Sequence, residues 1–120
     1  MLFHTWGGEQ EFAEIDEIAS AYPETIVLLA HSGSRRVDAY IDMARRHENV
    51  YLDTALSRPE RGLIEHLTAT AGADKIVFGS DAVFLSLPHQ FGKVAGARIS
   101  DADKERILSR NAEAILAQID

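Results

Sequence analysis

The chain has 120 residues, of which 46% are hydrophobic and 26% are charged, as is ordinary for a globular domain. Its net charge is −7 and its basic residues cluster only in pairs, so we expect no nucleic-acid partner. The absence of cysteine excludes disulfides and thiolate chemistry. The longest aliphatic run, Ile26–Ala30, is far shorter than the ~20 residues of a membrane span, and no secretory signal is recognisable. We therefore expect a cytoplasmic protein with no membrane partner.

Four short apolar runs predict β-strands, and each is followed by a segment of helical period. The strands are predicted at Leu2–Thr5, Ile26–Ala30, Val50–Thr54 and Lys75–Gly79. The second and the fourth are apolar without alternation, as in a parallel sheet that is covered on both faces.

Each helical segment has apolar residues spaced three or four apart on one face. These residues are Phe12, Ile15, Ala19 and Tyr22; Val37, Tyr40, Ile41 and Ala44; Leu63, Ile64, Leu67 and Ala71; and Leu108, Ala112, Ile115 and Ile119. Pro23 ends the first segment, and Gly72 is a C-cap for the third. The fourth runs from about Asp101 to Ile119, behind a capping box of Ser100 and Asp103.

The alternation of strands and helices predicts a single α/β domain over residues 1–120, with a parallel sheet and right-handed crossovers. Pattern alone leaves two architectures open, a doubly wound open sheet and a segment of a barrel. The polar residues at the strand ends supply the further evidence.

Each predicted strand ends at a polar side chain. In chain order these residues are His4, His31, Asp53 and Asp81, separated by 27, 22 and 28 residues. A spacing of about one βα unit brings them to the edge formed by the strand C-termini, which carries the active site in barrels and open sheets alike. Two imidazoles and a carboxylate there suit Zn²⁺ or a similar ion. Each residue also has a structural explanation: a histidine can bond a loop carbonyl, and the aspartates can cap a turn or helix.

The remaining polar residues have weaker claims. His47 and His66 lie in helical segments and are expected to be solvated, and His89 is expected on the surface of a long loop after Asp81. Trp6 follows His4 directly and is expected to line a pocket. The glycine loop from His31 to Arg35 matches neither the P-loop nor the dinucleotide fingerprint.

Together these segments resemble the C-terminal half of amidohydrolase-related, metal-dependent hydrolases, a family of lactone and amide hydrolases and aromatic-acid decarboxylases on a distorted TIM barrel. The similar segments are Leu2–Thr5, Leu28–Gly33, Val50–Asp53, Ile76–Asp81 and Arg110–Ala112. The resemblance implies about half of a (β/α)8 barrel, its strands five to eight.

By position, the resemblance assigns His4 to the metal, His31 to activating water or polarising the substrate, and Asp81 to the metal and to proton transfer. It implies a divalent metal, Zn²⁺ first and Mn²⁺ as the alternative, and a small cyclic or aromatic carboxylate, amide, ester or lactone as substrate. The family's first four strands and their His-x-His pair are absent, so metal and activity are expected to be incomplete in this chain alone.

Two other functions remain open: a non-catalytic half-barrel fragment and a small-ligand-binding α/β module. A half-barrel exposes both outer strands and an inner face, which we expect to carry Val27, Leu29, Ile76 and Phe78. We therefore expect a homo-oligomer or a complementary half-barrel as partner.

Overall fold

The computed structural model describes residues 1–118. The strands are β1 (Leu2–His4), β2 (Val27–Ala30), β3 (Val50–Asp53) and β4 (Ile76–Val77). The helices are α1 (Glu9–Ala21), α2 (Val37–Arg46), α3 (Leu63–Ala71), α4 (Leu87–Ala95), α5 (Asp101–Glu105) and α6 (Asn111–Leu116). A 3₁₀ turn (Ala73–Lys75) precedes β4, and a π-helical turn (Arg106–Arg110) joins α5 to α6.

The four strands form one parallel sheet in the order β1-β2-β3-β4, which confirms the predicted βα repeat. One face of the sheet packs against the helices. Val27, Leu29 and Ile76 on this face are fully buried, in a core shared with helix residues such as Ile15 and Leu67. Burial of this apolar surface is the main source of stability for the fold.

The opposite face of the sheet carries Leu2, Leu28 and Tyr51, which are neighbours across β1, β2 and β3. We call these three residues the open face. Leu2 is 64% exposed, and the other two are half-buried.

The predicted inner face was therefore wrong. Val27, Leu29 and Ile76 face the helices, and Phe78 packs against the same core. The error has a physical cause: a strand that is apolar on both faces shows no alternation, so the sequence does not reveal which set of side chains faces which way.

The outer edge of β4 is already occupied by the C-terminal helix. The carbonyl of Ile76 accepts a hydrogen bond from Asn111 Nδ2 (2.7 Å), and the amide of Phe78 donates to the carbonyl of Ile107 (2.9 Å). The π-helical turn makes the second bond available, because Asn111 N donates to Arg106 O rather than to Ile107 O. Of the two free edges that were predicted, this one is covered.

The edge of β1 remains free within the described residues. Leu28 N donates to Met1 O, so the backbone groups of Met1 face β2. Successive residues of a strand point their backbone groups to alternate sides, so those of Leu2 and His4 face away from β2.

Three details of the helices differ from the prediction. Tyr22 is 62% exposed, because α1 has ended and the chain is turning towards β2. Helix α4 lies in the segment that was predicted as a loop. The fourth predicted helix is divided by the π-helical turn, and its most buried residue is Ile107.

Two predicted caps are confirmed. Gly72, with φ of +96°, is the C-cap of α3, and Ser100 Oγ accepts a hydrogen bond from Asp103 N at the start of α5. The predicted apolar position Ile119 lies outside the described residues. Within residues 1–118, no helix is long and apolar enough to cross a membrane.

Candidate active site

His4, His31 and Trp6 form a cluster of rings at the C-terminal edge of the sheet. The ring centroids of His4 and His31 are 4.6 Å apart and nearly perpendicular. Trp6 lies edge-on to His4 at 4.8 Å and stacks on His31 at 5.7 Å. Asp81 lines the same two pockets as both histidines, so the structure brings together these three of the four residues that the strand-end spacing selected.

His4 is positioned by the residue that follows it. The buried hydroxyl of Thr5 donates to the carbonyl of Ala30, so the 2.7 Å contact between Thr5 Oγ1 and the Tyr40 hydroxyl has Tyr40 as its donor. Burial raises the pKa of Tyr40, which keeps it protonated as a donor. These bonds fix the end of β1, and with it His4, against β2 and α2.

The loop that carries Trp6 is held by Glu11. Its carboxylate accepts hydrogen bonds from the backbone amides of Trp6, Gly7 and Gly8, at 2.9–3.2 Å. Gly7 has φ of +82°, and a Cβ there would lie 2.5 Å from the carbonyl of Ser34. The loop therefore packs against the segment after β2, with its tryptophan over His31.

The orientation of His31 follows from one hydrogen bond. This buried residue has φ of +61°, and its Nδ1 lies 2.7 Å from the carbonyl of Ala55. A carbonyl can only accept, so Nδ1 carries the proton in the neutral ring. Nε2 is then the nitrogen with a free lone pair, available to a proton or a metal at the pocket.

Asp53 has a structural role, because its carboxylate bonds backbone amides at the ends of two strands. Its Oδ1 accepts hydrogen bonds from the backbone amides of His31 (3.3 Å) and Ala55 (2.9 Å). A Cβ at Gly79 would lie 1.6 Å from Asp53 Oδ2, so the carboxylate occupies the space that a side chain at 79 would need. Burial raises the pKa of Asp53 despite these bonds. The carboxylate joins the ends of β2 and β3, and it also lines the pocket.

Asp81 lies four residues beyond β4, with φ of +49°. Its backbone carbonyl accepts from Leu85 N. Among residues 1–118 its carboxylate has no hydrogen-bond partner. It is the acidic group at the pocket that is free to contact a ligand.

Two adjoining pockets meet at these side chains. One, of about 250 Å³, lies over the end of the sheet, between Leu2 and Asp53. The other, of about 420 Å³, is walled by Trp6, Leu56 and Phe84 and has a mainly apolar lining. A cavity with polar groups at one end and apolar walls at the other is typical of a small-molecule site.

A catalytic metal is not fully accommodated by this chain. Zinc in a catalytic site usually has three protein ligands, and the described residues contain no group of three or more His, Asp or Glu side chains placed to hold an ion. His4 and Asp81 are therefore candidate ligands in an incomplete set, and their predicted roles stay predictions.

The other predicted surface residues behave differently from one another. His47 is not solvated: its side chain is 12% exposed, and Nε2 lies 2.6 Å from Asp16 Oδ1. His66 is half exposed, as predicted. His89 is exposed, as predicted, and lines neither of the two pockets.

Two residues of α4 were missed altogether. Gln90 is fully buried and Lys93 half-buried, and both bond the segment Thr54–Leu56 after β3. Burial lowers the pKa of Lys93 to about 8, against the opposing effect of Asp53. The signal for α4 was present at its start, where Ser86 precedes a proline in the first turn.

The geometry defines a segment of a TIM barrel with its site at the C-terminal edge, and a comparison with solved structures agrees. An uncharacterised TIM-barrel protein from Bordetella bronchiseptica matches with a TM-score of 0.79 and 24% identity, over 98% of this chain. The chain spans 44% of that protein's length, as expected for half a barrel. The open doubly wound sheet is thereby excluded.

Residues 8–117 match the sequence model of the amidohydrolase family. The match covers most of the chain, which therefore belongs to the amidohydrolase family. A search of curated proteins found no match.

Proposed function

We propose that this chain forms the C-terminal half of the active site of a metal-dependent hydrolase, acting on an amide, lactone or ester bond of a small cyclic or aromatic carboxylate. The observation that carries the proposal is the orientation of His31. Its Nδ1 is bonded to Ala55, so its Nε2 is available at a pocket shared with His4 and Asp81. The family's decarboxylases make loss of carbon dioxide from an aromatic acid the second candidate reaction.

The residues of this chain have distinct roles in the proposed hydrolysis. His31 Nε2 takes a proton from the attacking water, and the resulting imidazolium donates from Nε2 to the oxyanion that forms on the substrate carbonyl. As the tetrahedral intermediate collapses, Asp81 takes that proton from His31 and passes it to the leaving group, which returns His31 to its neutral form. A divalent metal, when bound, supplies Lewis acidity towards the carbonyl oxygen and the water.

The larger pocket supports a ring-containing substrate. Its volume of about 420 Å³ lies in the range typical of small-molecule sites, and the aromatic side chains of Trp6 and Phe84 are among those that line it. A planar ring held there would place a carboxylate or acyl group towards His4 and Asp81.

We also propose that four further βα units complete the site, from a complementary half-barrel or a second copy. The free edge of β1 and the exposed open face support this, as does the 44% coverage of the TIM-barrel protein. The ligands missing from the metal set would come from those units.

The proposal can be tested by turnover of an aryl lactone, an aryl ester, an aryl amide and an aromatic carboxylate, with Zn²⁺ or Mn²⁺ added. His31→Asn and Asp81→Asn should each reduce turnover by about 100-fold or more, as loss of a general acid or base does. His66→Asn, on the exposed face of α3, is the matched control and should be neutral.

Equal rates in all three variants would contradict the proposed roles. If the chain, assembled with its complementary half-barrel, shows no turnover and no response of Trp6 fluorescence to Zn²⁺ or Mn²⁺, the alternative of a non-catalytic half-barrel is supported instead.

A further inference from the structure

The segment Thr54–Leu56, directly after β3, determines how His31 is oriented. Ala55 lies in its middle, and its carbonyl is the acceptor for His31 Nδ1. On its amide side, Ala55 is bonded by Asp53. The direction of a single carbonyl therefore sets which imidazole nitrogen carries the proton, and any rotation of that peptide group would release the ring.

Helix α4 holds this segment from the other side. Lys93 Nζ donates to the carbonyls of Thr54 and Leu56, both at 2.9 Å. The side-chain amide of Gln90 accepts from Leu56 N (3.2 Å) and donates to Leu56 O (3.4 Å). The carbonyls on both sides of Ala55 are thus bonded to α4, while the carbonyl of Ala55 itself is left for His31.

Burying the side chains of Gln90 and Lys93 removes polar groups from water, which costs free energy unless those groups are paired within the protein. Gln90 is fully buried, so its amide has no access to water and must be paired within the protein. Lys93 is half-buried, and the charged group opposite its ammonium is the Asp53 carboxylate, which itself bonds the amides of His31 and Ala55. A lysine in this position is not needed to cover the core, which an aliphatic side chain would do as well.

We propose that Lys93 and Gln90 are positioning residues that hold His31 in its Nδ1–H tautomer by bonding the carbonyls on either side of Ala55. They act through the segment Thr54–Leu56 and do not touch the pocket. The functional meaning of this arrangement rests on the proposed role of His31, but the tautomer itself can be measured without turnover.

The experiment is ¹H–¹⁵N spectroscopy of the 120-residue chain carrying ¹⁵N-histidine, at a pH well above the ~6.5 of an ordinary imidazole. The native chain should show His31 as the Nδ1–H tautomer. Lys93→Met and Gln90→Leu, which keep the size of each side chain, should each change the ratio of the two tautomers about fivefold, the effect of one weakened hydrogen bond. Lys93→Arg keeps the charge and the donors and should retain the native ratio.

His47 is an internal control in the same spectra, because it bonds Asp16 and lies far from α4 in the sequence. If the native signals of His47 are lost in a variant, that variant has unfolded. Lys93→Gln, which keeps one donor, then takes the place of Lys93→Met, and a smaller change of the tautomer ratio is expected. The proposal is overturned if His31 keeps the native tautomer ratio in every folded variant that lacks the Lys93 or Gln90 donor. Loss of turnover without a change in tautomer would also contradict it, while leaving the proposed hydrolase untouched.

Discussion

Asn111 connects the C-terminal helix to the edge of the sheet, and its replacement by alanine should destabilise the fold strongly. Its Nδ2 donates to the carbonyls of Ala73 and Ile76, both at 2.7 Å and in partly buried surroundings. A hydrogen bond contributes about 1 kcal/mol net, and a buried carbonyl that loses its partner costs about 1–3 kcal/mol. Because these carbonyls are only partly buried, we expect Asn111→Ala to lower the free energy of unfolding by about 2–4 kcal/mol.

Urea denaturation followed by circular dichroism measures this loss. With a slope of roughly 1.5–2 kcal/mol/M for a chain of this size, the midpoint should fall by about 1–2.7 M. The matched control is Gln118→Ala, which removes a similar amide-to-carbonyl bond, of 3.1 Å, from an exposed position. That change should stay within about 0.5 kcal/mol. If Asn111→Ala costs no more than Gln118→Ala, the reasoning about the edge of β4 is wrong.

Three further outcomes are expected. Glu11→Ala should release the loop of Trp6, the chain's one tryptophan, and lower its fluorescence anisotropy; an unchanged anisotropy would contradict the role given to Glu11. Asp16→Asn should destabilise the chain at pH 7 by about 0.2–1 kcal/mol, because the hydrogen bond from His47 lowers the pKa of Asp16 in the folded state. Since that stabilisation is lost as pH falls through the lowered pKa, the urea midpoints of the native chain and the variant should converge as the pH is lowered below the ~3.9 of an ordinary aspartate, and a difference that stays constant would contradict the assignment. The chain should self-associate through β1 in light scattering coupled to size exclusion, and Leu2→Lys should give a monomer; a native chain that is already a 13.2 kDa monomer would refute this.

The strands and the strand-end residues could be predicted from the sequence because both depend on local pattern. Apolar runs such as Ile26–Ala30 are short and sharply bounded, and a repeat of one βα unit fixes the edge at which His4, His31 and Asp81 lie. Parallel pairing then brings them together without any further information.

Helix α4 was missed because its buried face is not apolar. The residues that it buries are Gln90 and Val94, followed by Ala97 just beyond its end, so no hydrophobic stripe marks the period. A buried glutamine looks like a surface residue until its partner, 34 positions away in Leu56, is known. The contact of His47 with Asp16, 31 positions apart, was hidden for the same reason.

Because the edge of β4 is covered, β1 is the edge strand whose backbone groups are available for pairing within the described residues. Strand addition at β4 would first have to displace Asn111 and Ile107, whereas at β1 the backbone groups are free. If chains pair through β1 alone, their assembly would stop at two copies instead of propagating into fibres. In a completed barrel, the hydrogen-bond ladder of the sheet would be interrupted beside β4. There, the Asn111 side-chain amide and the Ile107 carbonyl would occupy backbone groups of β4 that a neighbouring strand would otherwise bond.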